Sequence, residues 1–147
     1  MKILYLEDLY PKSDWTKVTF LSHQGHCVEN PILDSDDFDT ATHIAQEAFD
    51  NFQPDVVVGR SRGGAIAMNL NIDQSKLVLL CPAWKRWNSA GSVKSGTIIL
   101  HSIFDDQVPF ADSVELEIND KAFLIEVGFD HQLQDPMTVK AVMKMCE

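Results

Sequence analysis

Short apolar runs alternate along this chain with longer stretches in which apolar residues return every three or four positions. Lys2 to Glu7 (KILYLE) reads as a short buried strand, and Pro11 follows soon after to end it. Residues 16–22 (TKVTFLS) carry β-branched side chains and could form a second strand. That would leave only roughly eight residues between parallel neighbours, where a crossover needs about a dozen. A helix removes the conflict: Ser13 as N-cap, Trp15, Val18 and Leu21 at helical spacing, and Gly25 to close it. His26 to Glu29 is then the second strand.

The alternation continues regularly. Asp36 to Phe52 sets Phe38, Ala41, Ile44, Ala45, Ala48 and Phe49 on one helical face, opened by acids that suit the helix dipole. Asp55 to Val58, Lys76 to Cys81 and Thr97 to His101 are apolar strands of the kind buried on both faces, and Ala122 to Val127 is a sixth strand. Gly63 to Leu70, Pro109 to Glu117 and Pro136 to Met145 read as helices. Strands alternating with helices predict an α/β fold, three-layer α/β/α, around a parallel sheet of about six strands. Right-handed crossovers gather the carboxyl ends of the strands on one rim, where such folds bind ligands.

The chain has 147 residues, 45% of them hydrophobic, which is material for one core and excludes a disordered chain. Twelve Lys and Arg against 22 Asp and Glu leave a net charge of −10, which repels nucleic-acid backbones and anionic lipid surfaces. No nucleic-acid partner and no membrane role are therefore expected. The longest apolar runs, such as Leu77 to Leu80, fall far short of the roughly 20 residues of a membrane span. No signal-peptide pattern precedes the first strand, and Cys27, Cys81 and Cys146 are an odd number without metal-like pairing. A reducing, cytoplasmic setting is the simplest expectation, with no metal and no cofactor.

The strongest motif is Gly59-Arg60-Ser61-Arg62-Gly63, which follows an apolar strand and precedes a helix. A G-x-S-x-G at a strand-to-helix turn is a nucleophile elbow, because side chains two before and two after the serine would strike neighbouring backbone. The alternative is a glycine-rich turn that packs tightly or holds a phosphate. A nucleophilic serine needs a base and a group that orients it, both on the same rim. Asp105 and Asp106 follow the fifth strand and His131 follows the sixth, so three successive turns supply Ser, Asp and His in that chain order.

Over nearly its whole length the chain resembles the compact, almost lidless serine hydrolases of the α/β-hydrolase fold. The resemblance rests on YLED, GHCVENPIL, the elbow, LLCPAW, HSIFDDQVPF and GFDH. It implies Ser61 as nucleophile, Asp105 in the D-x-x-V-P pattern as acid, ahead of Asp106, and His131 as base. It implies an oxyanion hole built from the backbone N–H of Arg62 and a second N–H at Asp8 or Leu9. The substrate class implied is a small carboxyl or thio ester. Many relatives carry His-Gly after the first strand where this chain has Glu7-Asp8. A carboxylate beside a developing oxyanion is unfavourable, which keeps a catalytically silent binding protein of the same fold as the alternative.

Arg60 and Arg62 flank the serine, and either could attract an anionic substrate group or neutralise Glu7 and Asp8. Trp84 and Trp87, beyond the fourth strand, are candidates to line a subsite or to pack over the rim. A signalling receiver domain is suggested by ILYLED and PDVVV. It is excluded because Gly59-Arg60-Ser61 stands where its phospho-accepting Asp belongs, and no lysine occurs between Lys94 and Lys121. Asp34 to Asp39 resembles the start of a calcium loop but has Asp39 where that loop needs Gly, so it reads as a helix cap. Cys81 reads as a buried strand-end thiol.

Overall fold

A computed structural model describes residues 1–7, 15–87 and 89–147. The expected N-cap Ser13 and the oxyanion candidates Asp8 and Leu9 lie outside the described residues. Six strands, β1 (Lys2–Leu6), β2 (Cys27–Glu29), β3 (Val56–Arg60), β4 (Lys76–Leu80), β5 (Ile98–His101) and β6 (Phe123–Glu126), form one sheet in the order β2-β1-β3-β4-β5-β6. Every pairing is parallel. The helices are α1 (Trp15–His23), α2 (Phe38–Phe52), α3 (Arg62–Ala67), α4 (Phe110–Asp120) and α5 (Pro136–Cys146). No helix among the described residues is long and apolar enough to cross a membrane.

Strand alternation divides the core into two layers. Leu4, Leu6, Val57, Leu77, Leu79 and Ile99 pack against α2, α3 and Leu116 of α4. Ile3, Tyr5, Val56, Val58, Val78, Leu80 and Leu100 face the other way, toward Leu21 of α1 and Val142 and Cys146 of α5. The chain steps outward from β1 to β2 on one face and back to β3 on the other. That is what right-handed crossovers require, and it makes the sheet three-layered. The register Leu6–Gly59–Leu79–Ile99–Leu124 brings five strands level, so that their carboxyl ends finish on a common rim.

The helix over residues 15–23 forms despite its β-branched residues, and Gly25, at φ +87°, ends it with its N–H on the Ser22 carbonyl. Asp37, not Asp36, caps α2, its carboxylate accepting from the Thr40 N–H at 2.8 Å. The helix expected over Gly63 to Leu70 is shorter than its pattern. Asn69 and Leu70 donate to carbonyls only three residues back, which winds the last turn too tightly to continue as α-helix.

The approach of α3 to the sheet is closer than any side chain permits. A Cβ on Gly63 would sit 2.1 Å from the Leu6 carbonyl oxygen, and one on Gly59 would sit 2.6 Å from the Gly63 oxygen. Gly64, which the sequence reading left out of the motif's steric logic, rests on Pro82, with 3.0 Å left for a Cβ. These obstacles are backbone, so relief requires lifting the helix off the sheet. Gly63→Ala should cost about 3 kcal/mol of stability, measured by urea unfolding at neutral pH. An unchanged midpoint would mean that α3 moves without resistance.

Candidate active site

Ser61 stands between β3 and α3 with φ +51° and ψ −117°, a conformation non-glycine residues rarely adopt. Its backbone is held from three directions: its N–H donates to the Leu80 carbonyl at 2.9 Å, and its carbonyl accepts from Ala83 at 3.0 Å and Ala65 at 3.2 Å. As N-cap of α3 it makes no capping bond with its side chain, which leaves the hydroxyl to other use. Oγ lies 3.0 Å from Nε2 of His131. Nδ1 of the same ring lies 2.7 Å from Oδ2 of Asp105.

Asp105 is fixed more heavily than this pairing requires. Its other oxygen accepts the backbone N–H groups of Gln107 and Val108, each at 2.8 Å. Burial pushes its carboxyl up, but the bonds from Val108, His131 and Gln107 outweigh that and hold it below the ordinary aspartate value. Asp106, one residue on, is exposed. With Nδ1 turned to a carboxylate, the hydrogen-bond pattern puts the proton there and leaves Nε2 as an acceptor toward the Ser61 hydroxyl.

The loop that carries His131 is clamped through its backbone. The His131 carbonyl accepts from Nη1 of Arg60 at 3.1 Å and from the Cys81 thiol at 3.4 Å. Lys17, fully buried on α1, donates to the Gln132 carbonyl at 2.9 Å. Inside the loop, Asp130 accepts from the Leu133 N–H at 3.0 Å, and the Ser102 hydroxyl donates to the Gly128 carbonyl at 3.2 Å.

Both arginines beside the serine are engaged within the fold. Nε of Arg60 pairs with the buried Glu7 carboxylate. Arg62 opens α3, where a helix aims its first N–H groups beyond its start, and its guanidinium donates to the Asp34 carbonyl at 2.8 Å. That guanidinium also lies 5.8 Å from the Phe38 ring centre and 5.7 Å from that of Trp87, two rings stacked on each other at 5.8 Å. Trp84 donates its indole N–H to the Asp112 carbonyl at 3.2 Å, tying the β4–β5 connection to α4.

One participant was not singled out from the sequence, and a second makes a contact that the sequence does not show. His101, at the end of β5, is fully buried and donates toward Asp105. Strand alternation places it on the α4 side with Ile99, and that was the legible signal. Cys81 is a buried strand-end thiol as expected, yet it bonds to the His131 carbonyl, and burial pushes it up to about 12. Cys81, Asp105 and His131 offer ligand atoms within 4.8 Å of one another. A protonated thiol and an imidazole bonded at both nitrogens suit a hydrogen-bonded chain better than a metal site.

No protein-family model matches this sequence, and no curated protein matches it. Solved structures do. A member of the α/β-hydrolase superfamily from Xanthomonas campestris pv. campestris aligns over 99% of this chain and 95% of its own, with TM-score 0.76 and 21% identity. Est1E from Butyrivibrio proteoclasticus aligns over 97% and 85%, with TM-score 0.74 and 16% identity. A serine hydrolase without lid, also from Xanthomonas campestris, aligns over 99% and 78%, with TM-score 0.71 and 12% identity. The fold is the α/β-hydrolase fold.

The electrostatics of Asp105 give a pH dependence. A carboxyl whose value is depressed by folding stabilises the fold above about pH 4, the ordinary aspartate range, and loses that contribution as pH falls through the folded value. The stability difference between pH 6 and pH 3 should therefore be smaller in Asp105→Asn than in the wild type; an equal difference would remove Asp105 from the acid response. At pH 8 a disulfide reagent should titrate about one thiol in the native chain, the exposed Cys27. Cys81 and Cys146, both pushed to about 12 by burial, should react only after unfolding.

Proposed function

We propose that this chain of α/β-hydrolase fold is a serine hydrolase acting on a small carboxyl or thio ester. In this reading Ser61 attacks the acyl carbonyl and passes its proton to His131 Nε2, and Asp105 holds the imidazole and stabilises its charged form. The protonated Nε2 gives that proton to the leaving alcohol or thiol as the ester bond breaks, and water activated by the same, again neutral, nitrogen then hydrolyses the acyl-enzyme. The observation that carries the reading is a serine held at φ +51° with its hydroxyl 3.0 Å from an imidazole that is backed by a carboxylate at 2.7 Å. A merely tight βα turn would not need that constellation.

The proposed oxyanion donors are the N–H of Arg62 and one from Asp8 or Leu9. Each such donor contributes roughly 3–4 kcal/mol to lowering the barrier. Glu7, half of the sequence-level objection to this site, spends its charge on Arg60. That pairing supports turnover over the catalytically silent alternative. The hydrolase descriptions of structures with the same fold support the reaction class.

Intact-mass labelling with a fluorophosphonate tests the reading without knowledge of the substrate. The wild type should gain one adduct, absent from Ser61→Ala. His131→Ala should slow labelling and ester turnover by several orders of magnitude while staying folded. Asp105→Asn should impair turnover more than Asp106→Asn. A folded wild type that takes no adduct would overturn the proposal, and equal losses at 105 and 106 would displace the acid.

A further inference from the structure

Asp105 Oδ2 is shared by two imidazoles. His131 Nδ1 lies 2.7 Å from it and His101 Nε2 lies 3.1 Å from it. The same His101 Nε2 is 3.1 Å from the Val108 carbonyl oxygen, and both of these partners can only accept. Nε2 must therefore carry a proton. Nδ1 of His101 lies 2.7 Å from the Ser113 hydroxyl on α4. Burial pushes this ring's value down more than Asp105 pulls it up, so the ring is neutral and Ser113 donates to Nδ1. Phe110 covers the ring at 5.5 Å between centres. Among the described residues, Asp105 and His131 are the titratable groups that act on it, alongside the Val108 carbonyl, Ser113 and the Phe110 ring.

We propose that His101 is a positioning residue for Asp105, a neutral N–H donor locked by Ser113 that divides the Oδ2 charge between two rings. The division has a consequence for the base. A carboxylate that already accepts from His101 pulls less strongly on the His131 N–H, so loss of His101 should strengthen that pull and move the acid limb of the labelling rate to higher pH. His101 also fixes the carboxylate plane, which orients His131 toward Ser61. The inference rests on Ser61, His131 and Asp105 acting as proposed above.

The test is the pH dependence of the fluorophosphonate labelling rate, read by intact mass for wild type, His101→Phe, His101→Gln and Ser113→Ala. His101→Phe keeps a ring but has no N–H, and its acid limb should move up by about one pH unit. His101→Gln returns an N–H donor near the Nε2 position and should keep the wild-type limb. Ser113→Ala, which frees the ring to turn, should shift the limb part of the way. A simple packing role would lower stability in all three and leave the limb in place, so coincident limbs would overturn the proposal. A wild type that does not label removes the serine reading and this inference with it, whereas labelling with an unmoved limb removes the inference alone.

Nitrogen-15 NMR of the wild-type imidazoles covers the case in which His101→Phe does not fold. One ring should stay neutral with its proton on Nε2 from pH 5 to pH 8 and lose that signature in His101→Gln. A His101 ring that protonates in that range, or carries its proton on Nδ1, would overturn the proposal.

Discussion

The contact on which the site depends is between backbones. Helix α3 lies against the carboxyl ends of β1 and β3 so closely that Gly63 and Gly59 cannot carry a methyl group, and Gly64 rests on Pro82. A helix that begins this near the sheet leaves one residue to reverse the chain, and that residue is forced to φ +51°. Such a conformation costs roughly 1–3 kcal/mol in a non-glycine residue. Three backbone hydrogen bonds, to Leu80, Ala83 and Ala65, hold it. The strain and the exposure of the Ser61 hydroxyl have one origin. A relaxed turn would lay the side chain back over the helix N-terminus as an ordinary cap.

The partners of that serine are held by charge in an otherwise acidic protein. Of its few cations, Arg60 and Lys17 point inward and end on the carbonyls of His131 and Gln132. Buried ion pairs are a weak source of stability, because desolvation offsets the attraction. What the Arg60–Glu7 pair does offer is direction: it carries a hydrogen-bond donor to the His131 peptide from a point fixed on β1 and β3. His131 is thereby positioned through its main chain, leaving both ring nitrogens for Asp105 and Ser61.

The strands and helices were legible in the sequence because a parallel sheet buried on both faces writes itself as continuous apolar runs, with amphipathic stretches between them. The steric tightness of the β3–α3 turn was legible as well, since glycine is the one residue without a Cβ. Less was visible where a polar side chain serves the interior. Lys17 is of a residue type usually exposed, yet it is fully buried, and the carbonyl that satisfies its ammonium is 115 positions away, out of reach of any local pattern. Arg60 could have met a substrate or a local acid, and the register of β1 against β3 brings Glu7 beside it. His101 looked like the end of a strand; its partners Asp105 and Ser113 come from a turn and a helix whose angle no local pattern fixes.

The β4–β5 connection ties α4 to α2. It is fastened at both flanks: Trp84 and Lys85 to Asp112 of α4, and Trp87 to Phe38 of α2 across the Arg62 guanidinium. The connection thus joins α4, which packs on β5 and β6, to α2, which packs on β1 and α3. Arg62, the residue after the proposed nucleophile, is the point where that span, the Asp34 carbonyl and helix α3 meet. Its side chain is buried in this junction, and its backbone N–H is the one proposed to meet the oxyanion. Fixing the side chain restrains that peptide, and the aromatic pair contributes to the restraint through the Arg62 guanidinium.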